Sequence, residues 1–87
     1  MLDEFHKVKS PKDIKRLKVL GQHLRLIRES QGISQAQLAF ESKLTVLQIG
    51  RIERGEINCG VISLFKIADA LSVPPRELFN FKLPYQS

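Results

Sequence analysis

The side chains of this chain that can do chemistry are mostly cations. Fourteen Lys and Arg stand against nine Asp and Glu, a formal charge of +5 with a sequence pI near 9.7. Such an excess attracts anionic partners, nucleic acid or an acidic surface, through its summed field. It is unevenly placed: residues 1–31 hold eight bases and four acids, residues 32–60 three of each, and residues 61–87 three bases and two acids. Any phosphate-binding argument must therefore include the N-terminal end as well as the middle. Covalent and metal chemistry lack their parts. His6 and His23 are far apart and have no Cys or acid at ligand spacing. Cys59 is the sole cysteine, and no nucleophile, base and orienting group cluster at a recognisable spacing. No glycine-rich phosphate loop follows a strand pattern. The expectation is a protein that binds and is no enzyme, with no metal, no cofactor and no evident small-molecule ligand.

Length and composition narrow the class. Eighty-seven residues make one small domain, and 43% hydrophobic with 26% charged residues is an ordinary globular mix. The longest apolar runs are three residues, far short of the roughly 20 that span a bilayer. The N-terminal Met1-Leu2-Asp3-Glu4-Phe5-His6-Lys7 has acids where a secretory leader has only bases. A single cysteine in so small a domain points to the cytoplasm.

Short helices must position the cations. Ser10 as N-cap, Pro11 in the first turn and Asp13 at the capping-box position start a helix carrying Ile14, Leu17, Leu20, Leu24 and Ile27 on one stripe, with Gly32 as its stop. Ser34-Gln35-Ala36-Gln37 and Thr45-Val46-Leu47-Gln48 repeat one device, a hydroxyl N-cap with Gln three residues on. Two helix starts eleven residues apart leave room only for a tight turn, and Leu38, Ala39, Leu44, Ile49 and Ile52 are what two crossing helices would bury. Gly55 ends the third helix. Val61, Leu64, Ile67, Ala68 and Leu71 mark a fourth, and Pro74-Pro75-Arg76-Glu77-Leu78-Phe79 a short fifth. With no period-2 strand pattern the class is all-α. Turning Ile49 and Ile52 inward leaves Leu47, Gly50, Arg51 and Arg54 on the outer face of the third helix, flanked by Val46 and Gln48.

These residues resemble the Cro/CI-like (Xre) helix-turn-helix family of bacterial and phage DNA-binding regulators. The resemblance is carried by Leu20-Gly21-x-x-Leu24-Arg25-x-x-Arg28, Gly32-Ile33-Ser34-Gln35-x-x-Leu38-Ala39, Ile49-x-x-Ile52-Glu53-Arg54-Gly55, Leu64-x-x-Ile67-Ala68-x-Ala70-Leu71 and Leu78-Phe79, about sixty of the residues. It implies a five-helix lambda-repressor-like domain that binds duplex DNA, at a pseudo-palindromic operator, as a homodimer. It further implies that the third helix enters the major groove while the second crosses the backbone. Arg51 is then the candidate for a bidentate guanine contact, Val46 and Leu47 read thymine methyls or pack on sugar, and Gly50 either allows close approach or is a neutral local defect. Gln35 matches a phosphate-contacting position, with Thr45, Gln48, Lys43 and Arg54 as further backbone or flanking contacts. Arg28 and Glu53 match positions that form a structural ion pair between the first and third helices.

Two residues depart from the family. Lys43 stands where glycine is usual, in a turn whose backbone goes left-handed, at a cost of roughly 1 kcal/mol. Glu56 stands where basic residues are common and should weaken non-specific affinity. The basic run Lys12, Lys15, Arg16 and Lys18 could track a phosphate backbone, but such a run is more often a solvated face. Three of the six aromatics, Phe79, Phe81 and Tyr85, lie in the last nine positions, an apolar tail that either folds back on its own domain or packs on a second subunit. Family dimers meet through their last helices, which implies an interface of Phe79 and Phe81 with Ile62 and Phe65 beside them. The expected organisation is an arm over residues 1–10, a DNA-binding domain over 11–80 and a tail over 81–87. The reading is a transcriptional regulator, a repressor in the usual case. The alternative is a protein-interaction module on the same fold, docking a partner through Val46, Leu47 and the aromatic tail. Salt separates the two, because DNA binding weakens linearly in log salt and apolar docking hardly responds.

Overall fold

The computed structural model describes His6–Lys7 and residues 10–86. The order of elements is β1 (His6–Lys7), α1 (Pro11–Ser30), α2 (Gln35–Ser42), α3 (Val46–Glu53), β2 (Ile57–Asn58), α4 (Val61–Leu71) and a terminal 3-10 helix (Pro75–Phe79). The chain is mostly helical, but two expectations need correction. The fifth helical segment closes as a 3-10 helix, in keeping with its length of five residues and its start at Pro74-Pro75. A short antiparallel ladder pairs His6 with Asn58 and Lys7 with Ile57, so the class is not purely α.

The cap residues act as their chemistry dictates, to different degrees. Ser10 Oγ accepts from the Asp13 N–H at 3.4 Å, yet the Asp13 carboxylate pairs with Arg16 at 2.7 Å and closes no box. Ser34 Oγ accepts from the Gln37 N–H at 3.0 Å, while the Gln37 amide turns to Glu41. Only Thr45 and Gln48 form the reciprocal box, with Thr45 N–H donating to Gln48 Oε1 at 2.8 Å and Gln48 N–H to Thr45 Oγ1 at 3.0 Å. The start of α3 is thus fixed on both sides. Lys43 takes the left-handed conformation at φ 61°, closing the turn between α2 and α3.

The core is Leu20 and Leu24 of α1, Leu38 and Ala39 of α2, Ile49 and Ile52 of α3, Ile57, and Ile67, Ala68 and Leu71 of α4, sealed by Leu78. Ile14, Leu17 and Leu44 are half-buried at its margin, and Val61 lies outside it, two-thirds exposed. Helices α1 and α3 approach so closely that glycine is required. A Cβ on Gly21 would sit 2.4 Å from the Ile52 carbonyl oxygen, and one on Gly55, at φ +69°, 2.6 Å from the Lys18 backbone. That contact sets the tilt at which α3 projects from the domain.

The tail folds back on its own domain. Phe81 packs partly buried against the core, its ring edge-on to His23 at 5.6 Å, and His23 Nε2 lies 2.8 Å from the Glu77 carbonyl oxygen. Tyr85 reaches the first turns of α1, where its hydroxyl accepts from Arg16 Nε at 2.6 Å and Lys12 Nζ stands 4.7 Å from its ring centroid. Of the two arrangements open to the tail, this one buries Phe81 within the chain and leaves Phe79 outside, 54% exposed.

Candidate nucleic-acid interface

The outer face of α3 carries Val46, Leu47 and Arg51 into solvent, as the 3.6-residue period requires once Ile49 and Ile52 turn inward. Val46 is 49% and Leu47 58% exposed, so neither belongs to the core and the helix phase is fixed. Arg51 is exposed, and its guanidinium has no hydrogen bond or ion pair with any described residue. A planar fork of donors on an apolar platform can take a bidentate acceptor such as a guanine edge. Gly50 departs from the sequence-based expectation of an open outer position. It is buried, and an added Cβ would lie 2.9 Å from Arg54 Nη1, so its place is to make room for the Arg54 guanidinium.

Beneath that face lies the element that aims it. Glu53, almost wholly buried, accepts from Arg28 Nε at 2.7 Å and Nη2 at 3.1 Å, and from Gln35 Nε2 at 3.0 Å. Arg28 Nη1 also donates to the Ile33 carbonyl oxygen at 2.8 Å. One carboxylate thus joins the end of α1, the start of α2 and the end of α3. Its hydrogen bonds to Glu53 hold the Arg28 guanidinium above its ordinary pKa despite the opposing cost of burial. Gln35 is tied into this network by one amide hydrogen, and its second remains to donate outward at the α2 N-terminus.

The flanking candidates gather at the ends of α2 and α3. Lys43 and Thr45 are exposed across the turn and Gln48 is half-buried with its amide oxygen engaged in the capping box. Arg54, at the C-terminus of α3, forks onto Glu56, Nε to Oε2 at 2.8 Å and Nη2 to Oε1 at 3.3 Å. This pairing raises the Arg54 pKa and draws the Glu56 carboxyl below its usual value, Arg51 and Lys18 adding to the second effect. The sequence did not single out this pair as a unit. Its signal was two opposite charges two residues apart astride Gly55. Phe40, 84% exposed on α2, was likewise not singled out, since an apolar residue mid-helix is most often turned inward.

Elsewhere the candidate interface residues divide. Ile62, Phe65 and Phe79 are all about half exposed or more, and Val61, Phe65 and Phe79 line one shallow apolar depression of about 110 Å³ between α4 and the 3-10 helix. Phe81 is instead held by its own domain, with its ring 6.3 Å from that of Phe79. Among the described residues no three His, Cys, Asp or Glu gather as metal ligands, and no helix is long and apolar enough to cross a membrane.

Residues 24–78 match the helix-turn-helix family model HTH_3, over α2, α3, α4 and most of the core. The chain belongs to this Cro/CI-like helix-turn-helix family of DNA-binding transcriptional regulators. Among helix-turn-helix relatives, control protein C.BamHI of Bacillus amyloliquefaciens is 42% identical over 64 residues, covering 72% of this chain and 79% of that protein. The structure of the restriction-modification controller protein C.AhdI from Aeromonas hydrophila superposes with a TM-score of 0.73 at 44% identity, over 74% of this chain and 97% of that one. The wild-type restriction-modification controller protein C.Esp1396I gives 0.67 at 30% identity, over 82% and 87%. In this helix-turn-helix protein, α1 before residue 24 and the tail after residue 78 lie outside the family match, and it is these two segments that Tyr85 joins.

Proposed function

We propose that this chain is a dimeric, sequence-specific regulator of the restriction-modification controller type, which reads the major groove of a pseudo-palindromic operator with α3 and represses a promoter by occupying it. The observation that carries the reading is the contrast on α3. Its inner side is locked by the buried Arg28–Glu53–Gln35 network, while its outer side presents Arg51, unpaired among the described residues, on the same face as exposed Leu47, with exposed Val46 flanking it. A helix held rigidly with an unpaired guanidinium outward is built to meet an acceptor of fixed geometry. Arg51 takes a guanine, Val46 and Leu47 meet thymine methyls or sugar, and Gln35, Lys43, Thr45, Gln48 and Arg54 flank along the phosphates. The exposed apolar surface of Ile62, Phe65 and Phe79 supplies the two-fold contact, with Phe81 buttressing it from behind. The similarity to controller proteins over most of their length supports the regulatory class.

Selection from a randomised duplex library at near-physiological salt tests this. Enrichment of a palindrome with half-sites spaced by about 10 base pairs or a multiple of that is expected. A folded protein that enriches nothing would leave the interaction-module reading in its place.

A further inference from the structure

The two outward arginines of α3 are in different states. Arg51 has no ion pair with a described residue, whereas Arg54, one turn later in position, is already occupied. Its guanidinium doubles back over Gly50, where no Cβ obstructs it, and engages both oxygens of Glu56. Glu56 is well placed for this because its own N–H donates to the Arg51 carbonyl oxygen at 2.9 Å, which fixes its backbone against the end of α3. Both side chains are about half exposed, so the pair belongs to the surface and not to the packing of the domain. Arg54 also lines an open cleft with Lys18, Gln22, Arg25 and Glu53. The Glu56 carboxylate takes the Nε/Nη2 edge, two of the five guanidinium donors, and its charge offsets the one a phosphate would meet.

We infer that Glu56 is a built-in counter-charge that competes with DNA phosphate for Arg54 and so lowers the sequence-independent affinity. The inference rests on the reading that α3 faces duplex DNA. Its consequence for salt is specific. While Arg54 stays on Glu56, the phosphate it would meet keeps its condensed cation and contributes no counterion release. With a neutral residue at 56, the same contact counts in full and steepens the log affinity against log salt slope by about 0.9. Competition from an exposed pair is modest, and its removal should tighten binding about two- to fivefold.

The test measures anisotropy of a labelled mixed-sequence duplex over a salt series, using the full chain, E56Q, R54A and the double variant. Circular dichroism confirms that each is folded. The expected result is two- to fivefold tighter binding by E56Q, with the steeper slope, and neither change when Arg54 is alanine. An unchanged E56Q, or an equal gain in the R54A background, overturns the proposal, since Glu56 would then repel phosphate on its own or not act at all. If the folded parent and E56Q both fail to bind any duplex at low salt, the DNA-facing reading falls and the proposal with it.

Discussion

Replacing Glu53 by alanine should remove much of this protein's stability, and the reason lies in what it leaves behind. The Arg28 side chain is 8% exposed and that of Glu53 3%. Without the carboxylate, Arg28 keeps only the Ile33 carbonyl oxygen and a distant Glu29 oxygen at 3.9 Å, while Gln35 loses its acceptor. Removing one partner of a buried pair costs about 3–5 kcal/mol, because a desolvated charge remains unmatched. A domain of this length has only about 4–13 kcal/mol in total. At about 4–8 °C per kcal/mol for a domain of this size, Tm should fall by about 12 °C or more. Thermal and urea unfolding followed by circular dichroism measure this directly. Replacing both charges, Arg28→Met with Glu53→Leu, should recover most of the loss, since a matched apolar pair leaves no buried charge. A loss under about 1 kcal/mol for Glu53→Ala, or a double variant as unstable as the single one, would refute the claim that an unpaired buried charge is what matters.

Three further outcomes are expected. Arg51→Ala should leave Tm unchanged and relax base preference at one position of each half-site, costing about 1–3 kcal/mol there, as read by binding to single-base operator variants. Lys43→Gly should raise stability by about 0.5–1 kcal/mol in urea unfolding, because the lysine sits at φ 61° where glycine is unstrained. Phe65→Glu, at a half-exposed site on α4, should leave the helical spectrum intact but yield a monomer in sedimentation equilibrium and weaken operator binding. A Phe65→Glu dimer as tight as the parent would move the two-fold contact elsewhere.

What could be read from the residues followed the range of the interaction. Ser10, Ser34 and Thr45 announced their helices because an N-cap bond spans three residues, and Ile49 with Ile52 set the phase that placed Val46, Leu47 and Arg51 outward. The resemblance added Arg28 with Glu53, a pair 25 residues apart that spacing alone does not connect. The ladder between β1 and β2 escaped because it is two residues long and made by backbone groups, which leave no alternation of side chains to see. Gly50 was placed on an open face because helical phase counts directions and not the neighbours that bend over them; Arg54 covers it. The tail's direction also lay beyond local pattern, since it depends on Tyr85 meeting Arg16 across 69 residues.

That last contact bears on how the molecule is made. Residues 81–86 are synthesised after the whole helix-turn-helix, yet they pack on the first turns of α1, which precede it in the chain. Helices α2 to α4 can collapse on α1 from Lys18 onward through contacts closer in sequence, whereas Lys12 and Arg16 of its first turns gain Tyr85 only when the tail arrives. The tail is thus a clasp closed across the ends of the chain, and a protease that trims it should free the first turns of α1 while leaving α3 in place.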